Sequence, residues 1–177
     1  MLRLILIVMS LPLLAAAVES SVPLETVESL DIERYLGRWY EVARLPNRFQ
    51  QACAGEVTAR YSLREDGKID VINECVKQNG ATIVAQGVAR VVDPTNTQLK
   101  VRFAPAFLSF LPLVWGDYWV LDLAPDYSWA VIGEPRRKYL WVLSRQPKLA
   151  EQTLQGALER AARQGYDPST IVRTRQR

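Results

Sequence analysis

The stretch Gly37-Arg38-Trp39-Tyr40-Glu41 opens the first strand-like run of this chain, after an apolar leader. A glycine two residues before a tryptophan allows a tight turn and then places a large indole at the start of a strand. Further along, Asp126 and Tyr127 lie in a turn between two strand-like runs, and Arg145 ends the last run. An arginine there can stack on the indole of Trp39, a cation–π contact of about 0.5–2 kcal/mol. The combination predicts that the first and last strands meet and close one end of a barrel.

The first 17 residues have the pattern of an export signal. Arg3 supplies a charged start, an apolar run covers Leu4 to Leu14, and three alanines form a small-residue cleavage site. A membrane anchor is the alternative, but the run is shorter than the ~20 apolar residues that span a bilayer. We therefore predict a signal peptide over residues 1–17, an N-terminal segment over 18–30 and one domain over 31–177.

The charge balance does not require a nucleic-acid partner, and we predict none. The formal charge of +3 falls to +2 without residues 1–17, because that segment holds one base, Arg3, and no acid. The basic excess lies in Arg136-Arg137-Lys138 and in residues 173–177. Solvent-exposed charge is the expected role, and attraction to an anionic membrane surface is the alternative.

The sequence offers no recognisable set of residues for catalysis or metal binding. It contains no histidine, the commonest general base and metal ligand. Its two cysteines lack zinc-site spacing, and it has no phosphate-binding glycine loop, Gly-x-Ser-x-Gly elbow or paired-carboxylate signature. We predict a binding protein without metal, cofactor or enzymatic activity.

The main part of the chain has the pattern of an all-β fold. Runs of alternating polarity are separated by turn signals such as Glu65-Asp66-Gly67 and Gln78-Asn79-Gly80. Eight strands with short links suit an antiparallel up-and-down barrel, which removes open sheet edges. The predicted strands are near Trp39–Leu45, Glu56–Leu63, Lys68–Val76, Thr82–Val92, Gln98–Ala104, Asp117–Leu123, Trp129–Gly133 and Tyr139–Arg145.

Two helices are predicted beside the barrel. Asp31 can cap a short one over Ile32 to Leu36, and a longer one covers about Lys148 to Gln164. Residues 171–173 could add a short strand. One face of the longer helix carries Leu154, Ala157, Leu158 and Ala161.

Cys53 and Cys75 are the two cysteines of the chain. Export favours a disulfide between them, which would stabilise the fold by roughly 3 kcal/mol on the chain-entropy model. In a hairpin that folds near Asp66, Cys53 lies thirteen residues before the turn and Cys75 nine after it. The mismatch requires Cys53 to lie in the loop ahead of the strand or the hairpin to bulge. Two unpaired, buried thiols are the alternative.

Several strands carry small residues where a filled core would hold large ones: Ala43, Ala59, Ala85, Gly87 and Ala89. An eight-stranded barrel either fills its interior or holds one small ligand. If these residues point inward they leave room for a ligand, and the alternative is that they face solvent.

Glu41 shares strand parity with Trp39, so its carboxylate is expected to point inward as well. A buried carboxylate needs a partner, and Arg60 or Arg102 could serve. A structural ion pair and recognition of a ligand head group are both open roles for Glu41.

The approach to the sixth strand, Phe103 to Trp115, is almost wholly apolar and is interrupted by prolines. Loops usually run over the surface. This one is therefore expected to cover the cavity, to pack on a partner or to touch a membrane.

By three stretches the chain resembles the lipocalins, and within them the bacterial outer-membrane group related to apolipoprotein D. The stretches are residues 36–44, 57–64 and 139–145, and the likeness extends from about Val27 to Arg173. In the second family motif, Pro125 stands before Asp126-Tyr127 where a threonine is usual. Many members are lipoproteins, whereas no cysteine follows the apolar leader of this chain.

The resemblance implies a barrel with one open mouth that binds and stores or transports a fatty acid, a lysophospholipid or a similar amphiphile. It implies an exported protein, periplasmic or peripheral at the outer membrane, with residues 103–115 as a possible membrane contact. The alternative function is docking on a membrane or partner through that loop. A further alternative that the resemblance implies is an enzyme acting on an isoprenoid or lipid, as some lipocalins are. Family position and aromatic content point to ligand-binding residues Trp115, Tyr118, Trp119 and Trp141, with Arg102 nearest the head group.

Overall fold

The structure is a computed structural model that describes residues 23–177. The predicted signal peptide and residues 18–22 of the predicted N-terminal segment lie outside the described residues. The described part of the chain forms nine strands and two α-helices. They are α1 (Ile32–Tyr35), β1 (Gly37–Arg44), β2 (Gly55–Leu63), β3 (Ile69–Val76), β4 (Thr82–Val91), β5 (Gln98–Arg102), β6 (Gly116–Leu123), β7 (Trp129–Gly133), β8 (Leu140–Ser144), α2 (Glu151–Arg163) and β9 (Val172–Arg173).

The first eight strands close into a barrel. Each strand from β1 to β8 pairs antiparallel with the next, and β8 pairs back onto β1. The eight-stranded antiparallel up-and-down barrel with a short N-terminal helix and one C-terminal α-helix, as predicted from the sequence, is confirmed. The ninth strand, β9, pairs with the second half of β1.

Alternation along the strands sorts the apolar core into two clusters, because successive side chains point to opposite faces of a sheet. The inner cluster fills much of the barrel, and the outer cluster lies between the barrel and α2. The inner cluster consists of Leu30, Tyr35, Trp39, Ala59, Tyr61, Ile69, Val71, Ala89, Leu99, Val120, Ala130, Ile132 and Leu143. The outer cluster consists of Val42, Ala43, Leu45, Leu121, Val131, Leu140, Val142, Leu154, Ala157, Leu158, Ala161 and Tyr166.

Helix α2 covers the outer cluster with the face that the sequence predicted. Its buried residues are Leu154, Ala157, Leu158 and Ala161. Gly165 follows the helix with φ +87°, a left-handed conformation that ends helices and suits glycine. Within the described residues, no helix has the length and apolar character needed to cross a membrane.

The predicted disulfide between Cys53 and Cys75 is confirmed. Their sulfur atoms are bonded and their Cα atoms lie 5.6 Å apart. The unequal spacing required one of two features, and both are present. Cys53 lies in the loop ahead of β2, and the β2–β3 pairing is irregular between Gly55 and Thr58.

Trp39 forms the floor of the barrel and is fully buried. Its Nε1 donates a hydrogen bond of 2.8 Å to the carbonyl oxygen of Tyr35 in α1. Gly37 joins α1 to β1 with φ +92°, and a Cβ there would lie 3.3 Å from Nη1 of Arg145. A glycine therefore suits both the backbone conformation and the close approach of the arginine.

The turn between β6 and β7 holds α1 in place. The hydroxyl of Tyr127 accepts a 3.0 Å hydrogen bond from the backbone N–H of Asp31, the N-cap of α1. The guanidinium of Arg34 lies 4.0 Å from the centre of the Tyr127 ring. Asp126 accepts a 3.0 Å hydrogen bond from the backbone N–H of Ser128, which shapes the turn. The predicted closing residues thus meet at one end of the barrel.

The C-terminal residues close a seam between β1 and β2. The first half of β1 pairs with β2, whereas its second half pairs with β9. Beyond β9, the carbonyl oxygen of Arg175 accepts a 2.7 Å hydrogen bond from the backbone N–H of Glu56. Nε2 of Gln176 donates to the carbonyl oxygens of Glu41 and Val57, at 2.8 and 2.9 Å. The tail therefore joins strands that no longer pair directly.

Candidate functional site

The lumen of the barrel is the candidate site, and small residues line one of its walls. Ala59 and Ala89 belong to the inner cluster. Ala85 and Gly87 alternate with Ala89 on β4, so they lie on the same face. The prediction of small inward residues is wrong for Ala43, which is fully buried in the outer cluster.

Three tyrosines meet deep in the lumen. The hydroxyl of Tyr118 lies 2.7 Å from that of Tyr35 and 2.9 Å from that of Tyr61. Tyr35 also packs against Trp39, with ring centroids 4.9 Å apart. Burial raises the pKa of Tyr61 to about 12 and holds the pKa values of Tyr35 and Tyr118 well above 10.0. All three phenols are therefore neutral hydrogen-bonding groups at ordinary pH.

A polar group sits higher on the wall, on β1. Glu41 pairs with Leu143, a member of the inner cluster, so its carboxylate lies on the inner face. That carboxylate accepts a hydrogen bond from the Thr174 hydroxyl and lies 3.2 Å from Nε of Arg44. A bulge between Glu41 and Ala43 shifts the alternation, which brings Arg44 to the side of Glu41 and turns Ala43 outward.

The prediction that Arg60 or Arg102 pairs with Glu41 is wrong. Arg60 is exposed, and the ion pair forms with Arg44 instead of Arg60 or Arg102. Burial raises the pKa of Glu41 to about 7, because the loss of water around the carboxylate outweighs the Thr174 hydrogen bond and the charge of Arg44.

Asn73 adds a polar atom to the middle of the lumen wall. It pairs with Ala59 and Ala85, on the inner face of β3. Its Oδ1 is buried and has no hydrogen-bond partner in the structure. Buried polar atoms usually find a partner, so this oxygen is a candidate contact for a bound molecule.

Trp141, a predicted ligand-binding residue, packs against the inner cluster. Its ring stacks on Tyr139 at a centroid distance of 5.7 Å, and Tyr139 in turn lies 5.3 Å from the ring of Phe49. Phe49 is 54% exposed, on the β1–β2 loop. The three rings form an aromatic ladder from the loop surface to the lumen, so amphiphilic contacts are available along an entry path.

Trp115 and Arg102 lie outside the lumen. Leu99 belongs to the inner cluster and Val101 packs against it. Arg102 directly follows Val101, so its side chain lies on the outer side of β5. The Trp115 ring covers this side, 5.3 Å from the Arg102 guanidinium and 4.4 Å from that of Arg90.

Arg102 is a buried cation, and few groups around it offset its charge. Only 8% of the residue is exposed, and its Nε has no hydrogen-bond partner. Its guanidinium donates to the carbonyl oxygen of Ala104, and among the described residues no carboxylate forms an ion pair with it. An anion at this surface would offset its charge.

The two remaining aromatic candidates for ligand binding, Tyr118 and Trp119, lie on opposite faces of β6. Tyr118 points into the lumen, whereas Trp119 packs against the outer cluster. Sequence analysis missed Tyr35, Tyr61 and Asn73. Tyr61 could have been found by extending the Val57, Ala59 alternation, whereas the contribution of Tyr35 depends on how α1 docks.

The loop over residues 103–115 presents apolar side chains to solvent. Two 3₁₀ turns, Ala106–Leu108 and Pro112–Val114, shape it. Three side chains project from it: Phe107 is 74% exposed, Phe110 75% and Leu113 83%. Large exposed apolar patches mark sites of interaction.

Metal binding finds no support in the described part of the chain, where no cluster of three or more His, Cys, Asp or Glu side chains could hold an ion.

The barrel, with its floor of Trp39 and its partly apolar lumen, defines a lipocalin-type binding fold. The family model of the lipocalin-like domain matches residues 30–176. This chain belongs to the lipocalin family.

Relatives of this chain come from plants, bacteria and animals. Temperature-induced lipocalin-1 of Arabidopsis thaliana is 45% identical over 156 residues, which cover 86% of this chain and 83% of that protein. Outer membrane lipoprotein Blc of Escherichia coli K12 is 38% identical over 152 residues, 85% of this chain and 81% of Blc. Apolipoprotein D of Bos taurus is 31% identical over 135 residues, 72% of this chain and 67% of the relative.

Solved structures share the fold. Insecticyanin of the tobacco hornworm Manduca sexta superposes with a TM-score of 0.68 at 19% identity, covering 87% of this chain and 85% of insecticyanin. Lobster apocrustacyanin A1 superposes with a TM-score of 0.63 at 17% identity, covering 82% of this chain and 79% of the other.

Proposed function

We propose that this protein binds a hydrophobic or amphiphilic lipid, such as a fatty acid or lysophospholipid, in the lumen of the barrel, for storage or transport. The carrying observation is the wall of small inward residues, Ala59, Ala85 and Ala89, beneath an aromatic ladder at the mouth. Small side chains leave width for an acyl chain, and the aromatic rings suit the amphiphilic part of the ligand.

The size of the ligand follows from the free energy of burial. Each buried methylene contributes about 0.8 kcal/mol, so ten supply about 8 kcal/mol. Association costs roughly 4–15 kcal/mol. A long chain with further contacts is therefore needed, and Glu41, Arg44 and Asn73 offer polar contacts along the wall.

Lumen binding is tested by two substitutions on one strand. Ala85→Phe places a ring in the lumen, whereas Val84→Phe places the same ring on the other face, where Val84 is 52% exposed. We expect hexadecanoic acid to change the tryptophan emission of the wild type and of Val84→Phe. Ala85→Phe is expected to weaken binding at least about tenfold. Equal binding by both variants would exclude the lumen as the site.

A second candidate function is docking on a membrane through residues 103–115. Phe107, Phe110 and Leu113 project into solvent. The exposed cation of Arg90 lies beside this loop, against Trp115. Apolar side chains next to cations suit the surface of an anionic bilayer.

Flotation with anionic liposomes tests docking. The triple variant Phe107→Ser, Phe110→Ser, Leu113→Ser is expected to lose flotation, because each apolar side chain contributes about 1.5–3 kcal/mol on burial. A matched control replaces exposed apolar residues elsewhere, Leu63, Val84 and Val92, by serine. Loss of flotation in both variants, or in neither, would count against docking by this loop.

The location of the protein is part of the same proposal. The charged and apolar leader over residues 1–17 supports export, and the likeness to Blc supports the bacterial envelope. Fractionation of the native host, with detection of the mature N-terminus by mass spectrometry, tests this location.

A further inference from the structure

The tyrosine cluster of the lumen has one more hydrogen-bond donor than it uses. Three hydroxyls, those of Tyr35, Tyr61 and Tyr118, carry three protons and share two hydrogen bonds. No other described residue bonds to these hydroxyls. One hydroxyl proton therefore lacks an acceptor, whichever way the three groups are oriented.

The position of Tyr118 between the other two hydroxyls, and the exposure of the three side chains, favour one holder of the unused proton. Tyr35 is 3% exposed and Tyr61 is 8% exposed, whereas Tyr118 is only partly buried. An unused donor is more costly where water cannot reach it. The favoured arrangement has Tyr35 and Tyr61 both donating to Tyr118, so that the Tyr118 hydroxyl keeps its own proton and directs it into the lumen.

We propose that the Tyr118 hydroxyl is a specificity determinant that donates a hydrogen bond to an oxygen acceptor, a carbonyl or ether, at the buried end of the ligand. This inference rests on the proposed function, since it requires a ligand in the lumen. A ligand that ends in a plain hydrocarbon would displace water from the Tyr118 hydroxyl without providing an oxygen to accept its hydrogen bond. The site therefore favours ligands that carry oxygen at both ends over simple fatty acids.

Paired probes measure this preference. Tetradecanoic acid and 13-oxotetradecanoic acid share a carboxylate, and the second carries a ketone near its far end. We expect the wild type to bind the keto acid about threefold to tenfold more tightly, as for one additional hydrogen bond. Equal affinities in the wild type would overturn the inference while leaving lumen binding intact. Failure of both acids to bind would refute the proposed function, and the inference with it.

Two conservative variants assign the preference to one hydroxyl. Tyr118→Phe removes the donor and leaves the buried ketone without a partner, so the keto acid is expected to lose its advantage and to bind no more tightly than tetradecanoic acid. Tyr61→Phe is the matched control, because Tyr35 and Tyr118 then hold two protons for one shared hydrogen bond and a donor is still left. A ratio in Tyr118→Phe as large as in the wild type would overturn the assignment.

A measurement on the wild type does not depend on the folding of any variant. A 13C label on the ketone allows its carbonyl stretch to be read by infrared spectroscopy in the complex. Donation by Tyr118 is expected to move the band to lower frequency than in hydrocarbon solvent. A band that stays at the hydrocarbon frequency would overturn the proposal.

Discussion

The guanidinium of Arg145 lies 3.8 Å from the centre of the Trp39 ring. The same group donates hydrogen bonds to the carbonyl oxygens of Arg34, at 2.6 Å, and Arg38, at 3.0 Å. It therefore joins the end of β8 to the first strand and to α1 at the closed end of the barrel. One planar guanidinium with several N–H donors therefore makes the ring contact and both hydrogen bonds.

Arg145→Lys is expected to lower the free energy of unfolding by about 1–3 kcal/mol, because an ammonium cannot stack and bond twice in this geometry. Arg38→Lys is the matched control, since the Arg38 side chain is exposed and only its backbone contacts Arg145. The control is expected to change stability by less than about 0.5 kcal/mol. Urea unfolding of both variants measures the difference, and equal losses would contradict this role of Arg145.

The disulfide is expected to stabilise the fold through its loop. Cys53 and Cys75 are separated by 22 residues, so replacing both by serine is expected to cost about 3 kcal/mol. Thiol titration of the unreduced protein should find no free sulfhydryl. Wild-type protein unfolded in the presence of a reductant should match the double variant. Two titratable thiols would refute the bond.

Glu41 is expected to make stability fall as the pH rises. Its pKa is about 7 in the folded protein and near 4.5 ordinarily. Between these pH values the folded state keeps a proton that the unfolded state has lost. Each pH unit then costs about 1.4 kcal/mol, or about 3 kcal/mol over the full range. Below the ordinary pKa both states are protonated and the effect vanishes.

Urea unfolding across this range compares the wild type with Glu41→Gln, which is expected to lack this fall. Thr174→Val removes the hydrogen bond that lowers the pKa of Glu41. The free energy of unfolding of this variant should therefore continue to fall up to a higher pH than in the wild type. A wild type and a Glu41→Gln variant with parallel pH profiles would contradict the raised pKa.

Gln176 is expected to protect the seam between β1 and β2. Gln176→Ala removes its two hydrogen bonds to Glu41 and Val57. We expect faster hydrogen exchange at the Glu56 amide, which bonds to the adjacent Arg175 carbonyl. Arg175→Ala is the control, because that bond uses only its backbone. Unchanged exchange in Gln176→Ala would show that the seam closes without the side chain.

Local sequence signals were sufficient for the architecture. Alternating runs, turn residues and the spacing of Gly37, Trp39 and Arg145 predicted the barrel and its closed end, because each strand and turn depends mainly on nearby residues. The disulfide followed similarly from two cysteines flanking one hairpin. The four buried residues of α2 followed from a helical period of 3.6.

The face on which an individual side chain lies was harder to predict from the sequence. Parity identifies residues that share a face, but a bulge inverts the pattern and has no clear sequence signature. The bulge after Glu41 turned Ala43 outward and brought Arg44 to the inner face. Which of the two faces points inward also depends on the partner strands. Trp119 was therefore expected at the mouth or in the lumen, whereas it packs against the outer cluster.

The strand order, the barrel, the disulfide and the apolar loop could all be predicted, since they arise from local pattern and neighbouring hairpins. The residues that meet inside the lumen depend instead on long-range contacts. Tyr35, Tyr61 and Tyr118 come from α1, β2 and β6, and they meet because closure of the barrel brings distant segments around one axis. One partner of Glu41 was supplied in the same way, by Thr174, which follows β9 and lies 133 residues further along the chain.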